Sequence, residues 1–282
     1  MPKFELPLFE RLEIETQSHC NRSCWFCPRV YDRSGAYLNA DGTPIRAQMP
    51  TDLIVQILDQ AQEMGFDGLV SFHFYSEPLI DKRNTELACA ARARDMKPYL
   101  HTNGDVLRNN DALCTAVSEL YDYIVVGIYD YTTNDELEAE QIFWRAKLPD
   151  ADLKFSTIGE GEARTAKSMS IPRAIVPTDR RIAVPDLTFP NGPCHRPLIR
   201  MFLRYDGEMC FCCEDMNADF TLGNIHTSTL EDLWYSDRHA EFTRDLVAGH
   251  RDKYLLCRNC PLSPSAPAPD GQKIRPEFRR YR

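Results

Sequence analysis

Apolar positions along the first half of the chain change period in a regular way. Leu12-Glu13-Ile14-Glu15-Thr16 alternates apolar and polar residues, the period of a strand. Residues 51–64 place apolar side chains at helical spacing behind Thr51, read as the capping residue. The same reading predicts strands at 68–75, 99–102, 123–129 and 153–158, and helices at 81–96, 111–121 and 134–147. Five to six β–α units in series imply an α/β fold on a parallel sheet, open or closed into a partial barrel. Chemistry in such folds sits at the carboxyl ends of the strands.

The rhythm breaks near residue 159. Residues 160–193 are rich in Arg, Pro and Ser and read as loop, with room for one more strand. From Cys194 the pattern becomes short strands, an Asp206-Gly207 turn and a helix. This predicts a large domain over 1–190, a small one over 191–262, and a proline-containing tail over 263–282 that ends in Arg279-Arg280-Tyr281-Arg282.

Composition narrows the class. The 282 residues are 43% hydrophobic, too apolar for a disordered chain, and no uncharged apolar run approaches the ~20 residues a bilayer needs. A net charge of −9 argues against a general nucleic-acid binder. There are eleven cysteines, an odd count, and the opening Met1-Pro2-Lys3-Phe4-Glu5 lacks a signal-peptide pattern. Reduced, metal-binding thiols in the cytoplasm are therefore expected rather than a disulfide scaffold.

Three of the cysteines, Cys20, Cys24 and Cys27, form a C-x3-C-x2-C series directly after the first strand. Paired C-x2-C knuckles are the usual zinc pattern, and three thiolates on one loop fit it poorly. Three ligands would leave one iron of a four-iron cluster open to an outside ligand.

Cys20-Asn21-Arg22-Ser23-Cys24-Trp25-Phe26-Cys27 resembles the signature loop of the radical SAM superfamily, with Phe26 in the aromatic place. The resemblance implies a partial (β/α)6 TIM-like barrel. It also implies S-adenosylmethionine held on the open iron and cleaved reductively to a 5′-deoxyadenosyl radical. Tyr75-Ser76-Glu77-Pro78 resembles the family's Gly-Gly-Glu-Pro loop, which makes Ser76 and Glu77 candidates for the methionine amino group. Thr102-Asn103-Gly104 resembles a motif at the third strand end, so Asn103 is a further candidate. Gly127 stands where many relatives carry a ribose-binding serine. Residues 171–177 resemble a stretch whose arginine pairs with the SAM carboxylate, which marks Arg173, with Arg164 second.

Cys194, Cys212, Cys257 and Cys260 make a second set, with Cys194 and Cys212 expected on facing hairpin strands. Four thiolates satisfy a complete four-iron cluster or a tetrahedral zinc, and spacing does not separate the two. The surrounding run through Leu222-Gly223-Asn224-Ile225 to Trp234 resembles the SPASM/twitch extension of radical SAM enzymes, in its form with a single auxiliary cluster. The resemblance thus implies two 4Fe-4S clusters. Cys210 or Cys213 could replace Cys212 as ligand, or serve as a hydrogen-atom donor; strand alternation puts Cys210 and Cys212 on one face and Cys213 on the other. Cys89 and Cys114 are expected to be buried in helices.

Enzymes of this size and cluster count resemble aminocyclitol dehydrogenases and aminoglycoside epimerases. The resemblance implies hydrogen abstraction from a small polar substrate, sugar-like and cationic, with an electron donor such as flavodoxin or ferredoxin. Modification of a ribosomally made peptide is the alternative, and a non-catalytic iron-sulfur scaffold or sensor the alternative of another class. His73, Tyr75 and His101 lie near strand ends where a substrate would sit, and Met49 reads as packing.

Overall fold

The computed structural model describes residues 5–24, 27–32, 34–157, 189–216, 218, 220, 222–258, 260 and 264–265. The first part runs β1 (Arg11–Ile14), α1 (Thr51–Glu63), β2 (Leu69–Ser71), α2 (Asn84–Arg92), β3 (Lys97–Thr102), α3 (Asp105–Arg108), α4 (Asp111–Leu120), β4 (Tyr123–Ile128), α5 (Asn134–Lys147) and β5 (Leu153–Thr157). The second runs α6 (Arg196–Ile199), β6 (Arg200–Leu203), β7 (Met209–Cys210), α7 (Leu230–Trp234), α8 (Asp237–Val247) and α9 (Leu255–Arg258).

The strands form one sheet in the order β5-β4-β3-β2-β1-β6-β7. All neighbours are parallel except β6 and β7, which form a hairpin over the Asp206-Gly207 turn. Gly207 takes φ +86 there, a conformation glycine adopts without strain. β6 pairs with β1 from Arg11↔Arg200 to Ile14↔Leu203. The segment expected to open a separate domain therefore shares a sheet with the barrel's first strand.

Alternation along the strands divides the sheet into an apolar and a polar face. Leu12, Ile14, Val70, Leu100, Ile124, Val126, Met201 and Leu203 are buried. So are the inner faces of α1 (Ile54, Ile57, Leu58, Ala61), α2 (Leu87, Ala88, Ala91) and α4 (Cys114, Val117). Each fully buried Leu or Ile contributes about 1.5–3 kcal/mol. Arg11, Glu13, Tyr99, His101, Tyr123 and Arg200 occupy the opposite parity, on the barrel interior.

Local chemistry sets the element ends. α5 begins at a complete capping box between Thr133 and Glu136. At α1, Pro50 holds the cap position with no side-chain bond, and Thr51, expected as the cap, is the first helical residue; its Oγ1 accepts from Arg83. The helix expected from Asp81 starts at Asn84, because Asp81 is held by Thr16 and Arg83. β2 is shorter than expected: its ladder ends at Ser71, and the chain turns across the carboxyl end of the barrel.

The C-terminal elements pack back onto the barrel. α7 has its own capping box at Thr229 and Asp232. Trp234 Nε1 donates to Pro7 O at 2.8 Å, its ring meets Phe9 at 5.1 Å, and Leu230 N donates to Gln60 Oε1 of α1. Among the described residues, no helix is long and apolar enough to cross a membrane. Cys114 is buried as expected, whereas Cys89 faces solvent on the outer side of α2.

Candidate functional site

The three thiols of the first series lie on the loop that leaves β1. Cys27 N donates to Cys24 O, and Arg22 N donates to Cys20 Sγ at 3.4 Å, so the loop curls around its own sulfurs. The thiols lie close enough to raise one another's pKa, and burial pushes Cys24 up to about 11 and Cys27 to about 12. A thiolate at this depth needs a bound cation. Buried Arg29 laces the loop by donating to Ser18 O and Arg22 O. Phe26 lies outside the described residues, as do Arg173 and Arg164.

Loops from three strand ends meet beside these thiols. Glu77 is buried, and its carboxylate accepts from Thr102 Oγ1 at 2.6 Å, Asn103 N at 2.7 Å and Leu79 N at 3.1 Å. Burial pushes it up to about 7 against those three donors. Asn103 Nδ2 donates to Asn21 Oδ1 at 2.8 Å and stands 3.8 Å from Cys20 Sγ. The following Gly104 sits at φ +81, and a Cβ there would strike the Trp144 ring. Ser76 Oγ is buried and has no hydrogen-bond partner. Cys20, Ser76, Glu77 and Asn103 are thus brought to one place.

Thiols of the second set also lie near one another. Burial and the neighbouring Cys194 and Cys260 thiols raise Cys257, and burial, Cys213 and Cys257 raise Cys212. Cys194 N donates to Leu246 O, and Cys260 N to Cys257 O. Cys194 precedes α6 and Cys212 follows β7, so neither stands on the strands expected for them. Strand alternation does not reach Cys212, because β7 ends at Cys210. Cys210 faces Asp215, Arg204 and Glu15. Cys213 faces Arg196, which donates Nη1 to its sulfur at 3.1 Å, and its backbone carbonyl accepts from Tyr75 Oη at 2.5 Å. Cys257 is among the groups that raise Cys212.

Polar groups of the barrel interior lie on the strands between the two sets. Glu13 accepts from Arg200 Nη2 at 2.9 Å and from the Tyr99 hydroxyl. The Tyr99 ring stacks on Tyr123, whose hydroxyl accepts from Arg11. His73 contacts His101 and Tyr99. Tyr129 folds over Gly127, where a Cβ would meet its ring, and its hydroxyl reaches Ser156.

A family model for an iron-sulfur cluster-binding domain, SPASM, matches residues 194–261, the stretch that carries the second cysteine set. The S-adenosyl-L-methionine-dependent 2-deoxy-scyllo-inosamine dehydrogenase of Niallia circulans is 27% identical over 266 residues, covering 90% of this chain and 93% of its own. Both likenesses are those of a radical SAM enzyme with a SPASM/twitch extension.

Solved structures agree on the fold. BtrN in complex with AdoMet and 2-DOIA superposes with a TM-score of 0.70 at 24% identity, over 91% of this chain and 94% of BtrN. SuiB of Streptococcus suis, bound to its precursor peptide SuiA, gives 0.53 at 15% identity, over 90% of this chain and 71% of SuiB. The matched domain is an iron-sulfur one and the curated relative depends on S-adenosyl-L-methionine, and the residues of this chain fit both groups. Three thiols on one loop suit an iron cluster with an open position, although no group of three or more His, Cys, Asp or Glu among the described residues is drawn together tightly enough to hold a metal ion. An acceptor-only carboxylate beside an unpartnered buried hydroxyl suits the ammonium end of an amino acid.

Sequence reasoning missed several residues of this barrel. Arg22, to which the cysteine motif gives no role, bridges Asp105 and Asp130. Glu13 carried a usable signal: charged residues at 11, 13 and 15, alternating with buried Leu12 and Ile14, mark a polar barrel interior. Arg196 and Arg200 carried none until β6 was placed beside β1.

Proposed function

We propose that the chain is a radical SAM dehydrogenase that oxidises a carbinol C–H of a small, polyhydroxylated, amine-bearing ring. In this reading Cys20, Cys24 and Cys27 hold the cluster that binds S-adenosylmethionine, and Cys194, Cys212, Cys257 and Cys260 hold a second four-iron cluster. Glu77, Ser76 and Asn103 orient the methionine end, with Phe26 and Arg173 completing the site. When bound, S-adenosylmethionine and its cluster supply a 5′-deoxyadenosyl radical that removes a hydrogen atom. An external one-electron donor of the flavodoxin or ferredoxin type supplies the reducing electron.

The observation that carries this reading is the polar interior between the two thiol sets. Glu13, Tyr99, His73, His101, Tyr123 and Arg200 offer donors and acceptors suited to a hydroxylated ring. Four of these are paired within the wall, and an apolar substrate would leave the buried His73 Nδ1 without a partner, at about 1–3 kcal/mol. The near full-length likeness to an aminocyclitol dehydrogenase supports the same substrate class. The Cys213 sulfur accepts from Arg196, which favours dehydrogenation over return of a hydrogen atom from that thiol.

The test is anaerobic reconstitution, reduction, and incubation with S-adenosylmethionine and 2-deoxy-scyllo-inosamine. Formation of 5′-deoxyadenosine together with a ketone lighter by H2 is expected. Deuterium from D2O at one inverted carbon, with no net oxidation, would mean epimerisation. Absence of 5′-deoxyadenosine under all conditions would mean a scaffold.

A further inference from the structure

His73 sits where the chain leaves β2 and turns across the carboxyl end of the barrel. Its ring meets His101 of β3 edge-on at 5.0 Å and Tyr99 at 5.7 Å. His73 Nδ1 is buried and has no hydrogen-bond partner. An unpaired buried ring nitrogen costs about 1–3 kcal/mol, a cost that a ligand supplying the missing partner removes.

The neighbours keep this pair uncharged. Arg200 of β6 and Arg11 of β1 face His73, and burial with these two cations lowers it to about 3. Burial, His73 and Arg200 lower His101 to about 3 against the opposing pull of Glu13. Glu13 is already engaged by Arg200 and the Tyr99 hydroxyl, and Tyr99 and Tyr123 are phenols held neutral by burial. His73 and His101 both keep partial exposure, so the pair reaches accessible space.

We propose that His73 and His101 bind the reacting carbinol hydroxyl, and that His73 Nδ1 takes its proton as the carbon is oxidised. This rests on the dehydrogenase reading above. With S-adenosylmethionine and the clusters bound, the carbinol carbon would lose its hydrogen atom to the 5′-deoxyadenosyl radical they supply. As the remaining electron left for an iron-sulfur acceptor, the O–H bond would break with its proton going to Nδ1, leaving a C=O bond. A weak base suffices, because departure of the electron makes the hydroxyl strongly acidic. His101, in contact with His73 and partly exposed, is the way out for the proton.

Binding and turnover of 2-deoxy-scyllo-inosamine by the reconstituted enzyme test the assignment, with scyllo-inositol as an uncharged comparison. In His73→Ala, ketone formation should fall about 100-fold or more, the usual range for a lost acid–base group. Formation of 5′-deoxyadenosine should continue, and calorimetric affinity for the probe should weaken about tenfold. His73→Gln, which keeps a hydrogen-bonding end, should recover affinity but not ketone formation. Wild-type turnover should show no inflection near about pH 6.5, the ordinary histidine value.

Turnover within about threefold of wild type in a folded His73 variant would overturn the assignment and leave the dehydrogenase reading intact. If neither variant folds, His73→Asn, whose amide end takes the place of Nδ1, is measured in the same way, with the same two outcomes. A wild-type enzyme that neither binds nor oxidises either ring would overturn the substrate reading and this assignment together.

Discussion

Arg22 grips Asp105 with two nitrogens, Nε donating to Oδ2 at 2.8 Å and Nη2 to Oδ1, while Nη1 reaches Asp130 Oδ2 at 2.9 Å. One side chain between Cys20 and Cys24 thereby ties the cysteine loop to the ends of β3 and β4. Both partners are partly exposed, so each pair contributes only about 0.2–1 kcal/mol to stability. Arg22→Ala should therefore barely change the melting temperature. It should speed removal of iron from the first site by a chelator several-fold, followed by absorbance of the chelate. Unchanged kinetics would mean that the clamp does not hold the loop.

Replacing the three clustered cysteines one at a time separates their roles. In a background with Cys20, Cys24 and Cys27 changed to Ala, Cys212→Ser should lose most of the remaining iron. Cys210→Ser and Cys213→Ser should keep it. Iron content and the reduced-cluster EPR signal give the answer, and retention in Cys212→Ser would reassign the ligand.

Glu15 makes stability fall with rising pH. It is fully buried, accepts from Tyr37 Oη at 2.7 Å and Tyr75 N at 2.9 Å, and burial raises it from 4.5 to about 7. A raised folded pKa gives stability that is full below the unfolded value and lost as pH climbs through the folded one. Glu15→Gln can keep both contacts and does not titrate. Between about pH 5 and about pH 8 the variant should gain on wild type by at most about 3 kcal/mol. Urea unfolding at the two ends of that range measures the gap, and a gap independent of pH would contradict the assignment.

Trp234 fastens the C-terminal elements to the barrel floor. It is fully buried against Phe9 and His239. Trp234→Ala should cost about 3–5 kcal/mol. A single cooperative transition, shifted down as a whole, is expected in calorimetry. Two separated transitions would show that the C-terminal elements melt alone.

Much of the fold was legible because local and global signals agreed. The helix expected over 134–147 is α5 residue for residue, and the structure shows why its start is sharp: Thr133 and Glu136 form a complete capping box. β2 was read too long because Phe72, His73 and Phe74 are as strand-like as the residues before them, and only tertiary contacts turn the chain inward there. In the site, the motifs located Cys20, Glu77 and Asn103, whose meeting depends on neighbouring strand ends. The turn at Cys212 was not legible, because nothing in Cys210-Phe211-Cys212-Cys213 says where the strand stops. The Arg200–Glu13 pair was not legible either, since it joins residues far apart in sequence.

The pairing of β6 with β1 has a consequence for how the chain is made. β1 is synthesised first and finds β2 early, but its other edge waits for residues 200–203, which emerge after most of the chain. Until then a row of unpaired backbone groups stands open at the centre of the future sheet, the kind of edge that recruits strands from other molecules. Truncation before residue 200 would make that exposure permanent, so shortened forms should aggregate rather than persist as an isolated barrel.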